Sequence, residues 1–193
     1  MEKLFFRKGT RVTLRPVLRE DIEQFMIWMN NPDITQFLLR TDPVSLKQEE
    51  EWFERVSKPN GSYTLAIVEN ESGKLIGSMG INQIDQKHGT AVTGAMIGSE
   101  DHRNKGYGTE AKMLLLEYAF HELNLRKIYS YVIEYNGRSA RYSEKCGYVE
   151  EARLPKHYYK KGKYWDQIIL AVYRDNWEKL AQNFLKGNDS QKS

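Results

Sequence analysis

The part of this chain best suited to chemistry is a polar loop that joins an apolar segment, Ala95–Ile97, to an apolar helix. Gly106 and Gly108 stand where the helical periodicity begins. The first turn of a helix leaves about four backbone N–H groups without intrahelical acceptors, and the helix dipole adds positive potential there. Glycine has no Cβ, so an anion can approach its backbone closely, and Arg103 and Lys105 add positive charge. The stretch therefore predicts a phosphate or pyrophosphate site.

Three phosphate-binding patterns compete for this loop, beside a plain tight loop whose glycines serve only its turn. A P-loop requires Gly-x-x-x-x-Gly-Lys-Ser/Thr, and the sequence contains no such string. Gly106, Gly108 and Ala111 match a dinucleotide-binding fingerprint, but seven residues separate Gly98 from Gly106, so the glycines do not directly follow the strand. The third pattern, Arg/Gln-x-x-Gly-x-Gly/Ala, is matched from Arg103 onwards.

A second informative string runs from Asn136 to Tyr148. Asparagine is a favourable helix N-cap, the residues from Ser139 to Lys145 suit a short helix, and Gly147 is a typical helix stop. Read alone, this string predicts a capped amphipathic helix and no more.

Together the two strings resemble the signatures of the GNAT family of acyl-CoA N-acetyltransferases. In that family the first pattern forms the acetyl-CoA pyrophosphate loop, and an asparagine, a short helix and Glu-Lys-x-Gly-Phe/Tyr line the pantetheine arm; Asn136 and Glu144–Tyr148 match the latter. The resemblance extends from about Arg11 to about Trp177 and is nearest to the RimJ/RimL-like branch, with spermidine acetyltransferases sharing much of the frame. It implies acetyl transfer to a primary amine on a protein N-terminus, a polyamine or a small molecule.

The resemblance also implies which residues hold acetyl-CoA as co-substrate. They come from the strand end, the loop, the helix start and the second string: Met96, Ile97, Gly98, Arg103, Asn104, Lys105, Gly106, Tyr107, Gly108, Thr109, Asn136 and Ser139. We expect the strand to part from its neighbour at Met96–Gly98, which would present backbone N–H groups to the thioester and the pantetheine arm.

Two departures from the family pattern concern catalysis. Many relatives carry a glutamate on the strand before the loop, where this chain has Thr93, and threonine is no base at neutral pH. Many also have a tyrosine at the position of Ser143; the neighbouring Tyr142 is one helical step of about 100° away and is expected to point elsewhere. Ser139 matches a serine that RimJ/RimL-like enzymes direct at the CoA sulfur, so we predict Ser139 at the sulfur with Tyr142 behind it. The base stays open among Glu151, His157, Asp85 and bulk water through a relay.

Composition restricts the class of protein. With 193 residues and a net charge of +3, the chain predicts one domain at 1–186 and a polar, disordered tail at 187–193. The single cysteine, Cys146, excludes an internal disulfide, and the N-terminal residues lack a signal-peptide core, so a cytoplasmic location is expected. No apolar run approaches the ~20 residues of a membrane span. The four histidines have no zinc-ligand spacing, so no metal is expected.

The elements that must position these residues alternate between strand and helix. We predict a mixed, mostly antiparallel α/β (α+β) sheet, GNAT-like, with a central strand–helix–strand acetyl-CoA unit. The predicted strands are 11–16, 63–68, 75–84, 91–97, 127–133, 148–159 and 164–173, and the predicted helices are 19–29, 45–56, 106–120, 139–145 and 174–185.

Two other functions stay open beside the acetyltransferase. One is a dinucleotide-binding oxidoreductase, and the other is a GNAT-shaped module that binds CoA or RNA without catalysis. The basic and aromatic residues at 156–165 suit single-stranded nucleic acid, but a hairpin with an exposed basic turn explains them more simply, so nucleic acid is not expected as a partner. The acidic residues at 49–54 have two interpretations: they attract an amine substrate, or they form only the solvated face of a helix. Strand edges near the C-terminus would allow a homodimer.

Overall fold

The computed structural model describes residues 4–40, 42–58 and 61–189, which contain eight strands and six α-helices. The strands are β1 (Arg7–Lys8), β2 (Val12–Pro16), β3 (Tyr63–Glu69), β4 (Leu75–Asp85), β5 (Thr90–Ile97), β6 (Lys127–Ile133), β7 (Val149–Lys160) and β8 (Lys163–Tyr173). The helices are α1 (Ile22–Met29), α2 (Pro32–Thr35), α3 (Leu46–Val56), α4 (Tyr107–Glu117), α5 (Gly137–Glu144) and α6 (Arg174–Asp189).

All eight strands form one sheet, in the order β1-β2-β3-β4-β5-β6-β8-β7. Neighbouring strands are antiparallel except β5 and β6, which run parallel. A parallel pair needs a crossover connection, and α4 supplies it. The mixed, mostly antiparallel fold with a central strand–helix–strand unit is therefore confirmed. β7 lies at one edge of this sheet, and the homodimer stays a prediction.

Local sequence signals account for where the helices begin and end. Ser45 and Gln48 form a capping box at the start of α3, in which Ser45 Oγ accepts from the Gln48 amide and Gln48 Oε1 accepts from the Ser45 amide. The Asn136 side chain accepts a hydrogen bond from the Ser139 amide at the start of α5. Gly147, with φ of +89°, follows the end of that helix. The predicted caps at these positions are confirmed.

The ends of two helices differ from the predictions. Helix α4 follows the polar loop at 98–106, which we call the glycine loop. At Tyr118–Glu122 this helix changes into a π-helical turn. The last helix extends to Asp189, so positions 187–189 are helical where a disordered tail was expected, and positions 190–193 lie outside the described residues. The domain boundary at 186 stays a prediction.

Helix α4 is buried on almost every side. All residues from Glu110 to Leu116 are buried, and Leu114 and Leu115 belong to the same apolar cluster as Val12 and Ile81 of the sheet. Packing on this scale fixes a helix in position, because most helical stability in proteins comes from tertiary contacts. The N-terminus of α4 is therefore held beyond the end of β5.

The two parallel strands pair over only a short length. Among the described residues the β5–β6 ladder consists of the pairs Thr90–Lys127, Ala91–Ile128 and Val92–Tyr129. Beyond them β5 continues to Ile97, paired with β4, and β6 continues to Ile133, paired with β8. The facing edges of the two strands therefore part after Val92 and Tyr129, which opens a space in the middle of the sheet.

One amine, that of Lys112 in α4, lies wholly inside the core. Lys112 is 0% exposed, and its Nζ donates to Thr93 Oγ1 over 2.8 Å. Nζ also lies 5.0 Å and 5.3 Å from the ring centroids of Tyr148 and Tyr142. Across residues 4–40, 42–58 and 61–189, no carboxylate pairs with it. Burial disfavours the ammonium form and lowers the pKa of Lys112 to about 8, although the Cys146 thiol acts in the opposite direction.

We expect Lys112→Met to stabilise the protein at neutral pH. The folded pKa lies below the unfolded value of about 10.5, so the folded state keeps the full cost of the buried ammonium below pH 8 and loses it as the pH rises towards 10.5. The difference in unfolding free energy between variant and wild type should be roughly 2–4 kcal/mol at pH 7. It should shrink by pH 10 in urea titrations.

A suitable control is Ser143→Ala, which changes another buried polar side chain that does not titrate. Its effect on stability should not vary with pH. Alkaline titration of the buried tyrosines occurs in all three proteins and cancels in the comparison. A Lys112→Met effect that stays constant from pH 7 to pH 10 would show that Lys112 is no buried ammonium.

Candidate active site

The space between the parted strands is a cavity of about 490 Å³. Its walls are the facing edges of β5 and β6, the loop before α4, one face of α5, and the segment from α2 to Leu39. The lining residues on the strands are Thr93, Gly94, Ala95, Met96, Ile97, Ser130, Tyr131, Val132 and Ile133. A pocket of this size suits a small ligand held between secondary-structure elements.

The glycine loop forms one end of the cavity. Arg103, Asn104, Gly106, Gly108 and Thr109 line it. Asn104 and Gly106 have φ of +61° and +86°, so the chain turns sharply and enters α4 with Gly106 as N-cap. The first-turn amides of α4 have no intrahelical acceptors and lie at the cavity end, which suits an anion.

A set of ionic contacts holds this loop to the sheet. Glu110 accepts hydrogen bonds from the backbone amide and Nε of Arg11 at 2.8 and 3.1 Å. Arg11 Nη1 in turn donates to the carbonyl oxygen of Lys105 at 2.9 Å. A Cβ on Gly106 would lie 2.9 Å from Arg11 Nη2, the end of a flexible side chain that can shift, so the φ of +86° is the main reason for glycine there. Sequence reasoning did not identify Arg11 or Glu110 as loop supports.

Arg103 has a structural task as well as a place in the cavity wall. Its Nε and Nη2 donate to the carbonyl oxygens of Ile97 and Gly98 at 3.2 and 2.9 Å. Arg103 therefore folds the loop back onto the end of β5. Gly98 does not line the cavity: its amide donates to Ile76 O at 3.0 Å, and a Cβ there would lie 2.0 Å from the Trp28 ring.

Tyr107 and Lys105 contribute backbone rather than side chain to the loop. The Tyr107 hydroxyl donates to Glu69 Oε1 at 2.6 Å, and neither side chain lines the cavity. Hydrogen bonds from Ser72 and Tyr107 lower the pKa of Glu69 to about 2, and His102 Nε2 lies 3.2 Å from the same carboxylate. Glu69 thus stays ionised and holds both rings beside the loop.

Helix α5 presents Asn136, Ser139 and Tyr142 to the cavity. Ser143 is fully buried and faces the core, not the cavity. Tyr142 and Ser143 thus point in different directions, as expected, but it is Tyr142 that reaches the cavity. Residues three apart share a helix face, so Tyr142 lies beside Ser139. Burial raises the pKa of Tyr142 well above its ordinary value, so its hydroxyl keeps its proton.

The same helix carries a basic stripe that the sequence analysis overlooked. Arg138, Arg141 and Lys145 line the cavity. Their spacing of three and four residues was the signal that could have revealed it. The Arg138 guanidinium lies 4.8 Å from the Phe37 ring centroid, which joins α5 to the segment after α2.

The candidate bases Glu151, His157 and Asp85 lie outside the cavity lining. Glu151 accepts a hydrogen bond from Lys127 Nζ, and Asp85 is bonded to His88 at 2.7 Å. His157 is exposed and packs against the Tyr158 ring. The structure therefore brings none of the three to the site, because their strand positions face other parts of the molecule.

The basic hairpin of β7 and β8 forms a wall near the other end of the cavity. Lys160 Nζ donates to the carbonyl oxygens of Thr35 and Arg40 at 2.9 and 3.2 Å, and also to that of Leu38. Lys161 Nζ donates to Gln36 Oε1 at 2.7 Å. These lysines hold the segment after α2, so the interpretation of an exposed basic turn is only partly correct.

The acidic residues of α3 do not reach the cavity. Glu49 is buried, and burial raises its pKa. Glu50 and Glu54 lie 3.6 and 3.3 Å from the Arg19 guanidinium. The acidic run is thus partly neutralised by Arg19 on the surface and lies away from the cavity, which argues against a role for it in binding the amine.

Within residues 4–40, 42–58 and 61–189, no cluster of three or more His, Cys, Asp or Glu side chains is arranged to hold a metal ion. Of the helices in these residues, none combines the length and apolar character that crossing a membrane requires.

Known proteins resemble this chain in both sequence and fold. Residues 11–149 match the family described as the acetyltransferase (GNAT) domain. A spermidine N(1)-acetyltransferase of Vibrio cholerae is 29% identical over 169 residues, covering 88% of this chain and 96% of that protein. A probable N-acetyltransferase of Bacillus subtilis is 32% identical over 176 residues, covering 86% and 95%.

Solved structures give the same result. The crystal structure of the spermidine N-acetyltransferase from Vibrio cholerae in complex with CoA and spermine has a TM-score of 0.80 and 26% identity, covering 86% of this chain and 98% of that one.

The sheet topology also excludes the oxidoreductase alternative. A dinucleotide-binding domain has a mostly parallel sheet, whereas this sheet has one parallel pair, so that alternative is wrong. The chain belongs to the GNAT family of acetyltransferases.

Proposed function

We propose that this enzyme transfers the acetyl group of acetyl-CoA to a primary amine by direct attack on the thioester. The observation that carries the proposal is the cavity itself: it runs from the glycine loop, between the parted edges of β5 and β6, to the segment after α2. One long ligand and one amine can meet in such a space, and holding two reactants in line supplies several kcal/mol of catalysis. The RimJ/RimL-like branch and the cytoplasmic location stay predictions.

The residues that line the cavity suit acetyl-CoA, the proposed acetyl donor. First-turn amides of α4, with the basic stripe of Arg138, Arg141 and Lys145, suit a pyrophosphate. The edge of β5 from Thr93 to Ile97, which has no β6 partner, has backbone groups that suit the amide groups of a pantetheine arm. Asn136 lines the same passage while its side chain caps α5.

Ser139 and Tyr142 are proposed at the thioester sulfur. Both line the cavity from one face of α5. A departing thiolate needs a proton donor, and a buried phenol with a raised pKa is protonated throughout the physiological range. Tyr142 is therefore the proposed donor, with Ser139 as a hydrogen-bonding neighbour.

The acceptor end of the cavity combines apolar walls with one carboxylate. Asp33 is the carboxylate among the lining residues, and Ile34, Phe37 and Leu38 supply the apolar surface. Similarity to spermidine acetyltransferases supports a polyamine, whereas the basic stripe opposes a long polycation lying across α5. We propose an amine whose charged group meets Asp33, with spermidine as the first compound to test.

The proposal is tested by measuring CoA thiol release from acetyl-CoA with spermidine, phenylethylamine and a peptide with a free N-terminus. We expect release above background with at least one of them. Asp33→Asn should raise the KM of a charged acceptor roughly 2–5-fold, as expected for an exposed ion pair, and leave the KM of acetyl-CoA unchanged. CoA binding without release on any amine would favour the non-catalytic module.

The glycine loop can be tested with two alanine variants. Gly106→Ala places a Cβ at a φ of +86° and 2.9 Å from Arg11, so we expect lower thermal stability and at least 10-fold weaker CoA binding by calorimetry. In Gly108→Ala the Cβ would lie 3.6 Å from Ile97, an ordinary contact, so the melting temperature should be unchanged. Equal melting temperatures of the two variants would contradict the role given to the turn.

Tyr142→Phe removes only the hydroxyl of the proposed proton donor. We expect kcat to fall roughly 100-fold with little change in the KM of acetyl-CoA, because general acid catalysis acts in the transition state. Steady-state kinetics and the melting temperature distinguish this from a loss of fold. A kcat within two-fold of wild type would remove Tyr142 from the mechanism.

A further inference from the structure

Thr93 stands at the point where β5 and β6 part. It is the first residue of β5 beyond the ladder, its side chain is buried, and it lines the cavity. Its Oγ1 lies 3.3 Å from the carbonyl oxygen of Tyr129 on β6, 2.8 Å from the hydroxyl of Tyr148 and 2.8 Å from Nζ of Lys112. Thr93 therefore lies in the cavity wall while its hydroxyl contacts a buried amine.

Lys112 has surroundings that favour a neutral amine. The groups that face it are Thr93 from β5, Tyr142 from α5, and Cys146 and Tyr148 from the segment after α5. None of these is ionised at neutral pH, because burial raises the pKa of Cys146 to about 12 and raises those of both tyrosines. A lysine without a carboxylate partner in an apolar site is a proton acceptor near neutral pH.

We infer that Lys112 is the proton acceptor of the reaction and acts through the Thr93 hydroxyl. The inference rests on the acetyl transfer proposed above. Since Thr93 separates Lys112 from the cavity, Lys112 does not touch the amine substrate, and Thr93 is the relay between them. A buried base with this access would also explain why the candidate carboxylates and histidine lie elsewhere.

In the structure the Thr93 hydroxyl donates to Tyr129 O and accepts from Lys112 Nζ. Once Lys112 has lost a proton, the Thr93 hydroxyl turns to donate to the Nζ lone pair. The bound ammonium then gives one proton to Thr93 Oγ1 as Thr93 passes its own hydroxyl proton to Nζ. The neutral amine then forms the C–N bond with the acetyl carbon, and the C–S bond breaks with its electron pair on sulfur. The second amine proton replaces the one that Tyr142 gives to the thiolate. Lys112 finally returns its proton through Thr93 to solvent.

The experiment compares Lys112→Met, Thr93→Val and the double variant with wild type, on the best amine of the panel. Both single variants should lower kcat at least 10-fold with the KM of acetyl-CoA unchanged, and the double variant should be no worse than either, because the two residues act as one unit. In wild type kcat should rise with pH around 8, and this rise should be absent in Lys112→Met. Thr93→Ser, which keeps the hydroxyl, should recover most of the loss.

The outcomes separate the relay from the function on which it depends. A Lys112→Met enzyme with wild-type kcat and pH profile overturns the relay and leaves the acetyl transfer intact. Additive losses in the double variant also overturn it, since independent contributions would add. No CoA release by wild type with any amine removes the proposed function and the relay together.

Discussion

The structure depends on the parting of two neighbouring strands. β5 and β6 pair over three residues and are then each held by their other neighbour, β4 and β8. Buried backbone N–H and C=O groups require partners, so an interior gap in a ladder is costly unless a polar ligand or solvent fills it. The end of β5 is fixed by the contact of Gly98 with the Trp28 ring and by the two hydrogen bonds from Arg103. The cavity is therefore a consequence of how the sheet is held around it.

Charged residues near the cavity divide between support and binding. Arg11, Arg103 and Glu110 hold the loop to the sheet, and Glu69 holds the two rings beside it. Arg138, Arg141 and Lys145 line the cavity from α5. The loop can thus keep its sharp turn without relying on the ligand, which reduces the entropy lost when an anion binds.

The buried amine is the least ordinary feature of the core. Lysine is almost never fully buried without a partner, yet Lys112 lies between Thr93 and two tyrosine rings with no carboxylate in contact among the described residues. Such an arrangement is unfavourable for stability at neutral pH. Proteins retain groups of this kind mainly at functional sites, where a shifted pKa serves the chemistry.

The sequence by itself determined the fold class, the order of seven strands and five helices, and the region of the loop and of α5. It missed the two-residue strand β1 and the four-residue helix α2. Local signals suffice for these, because the periodicity of apolar residues, the cap at Asn136 and the glycine at 106 act over a few neighbours. Family motifs added the activity.

Only the tertiary structure decided which side chains meet. It turned Tyr142 rather than Ser143 to the cavity, placed Glu151 elsewhere, and brought Lys112 of a helix to Thr93 of a strand nineteen positions away. Helix rotation and strand register depend on packing against elements that are distant in the chain. These contacts exist only in the folded protein, so a single sequence does not reveal them.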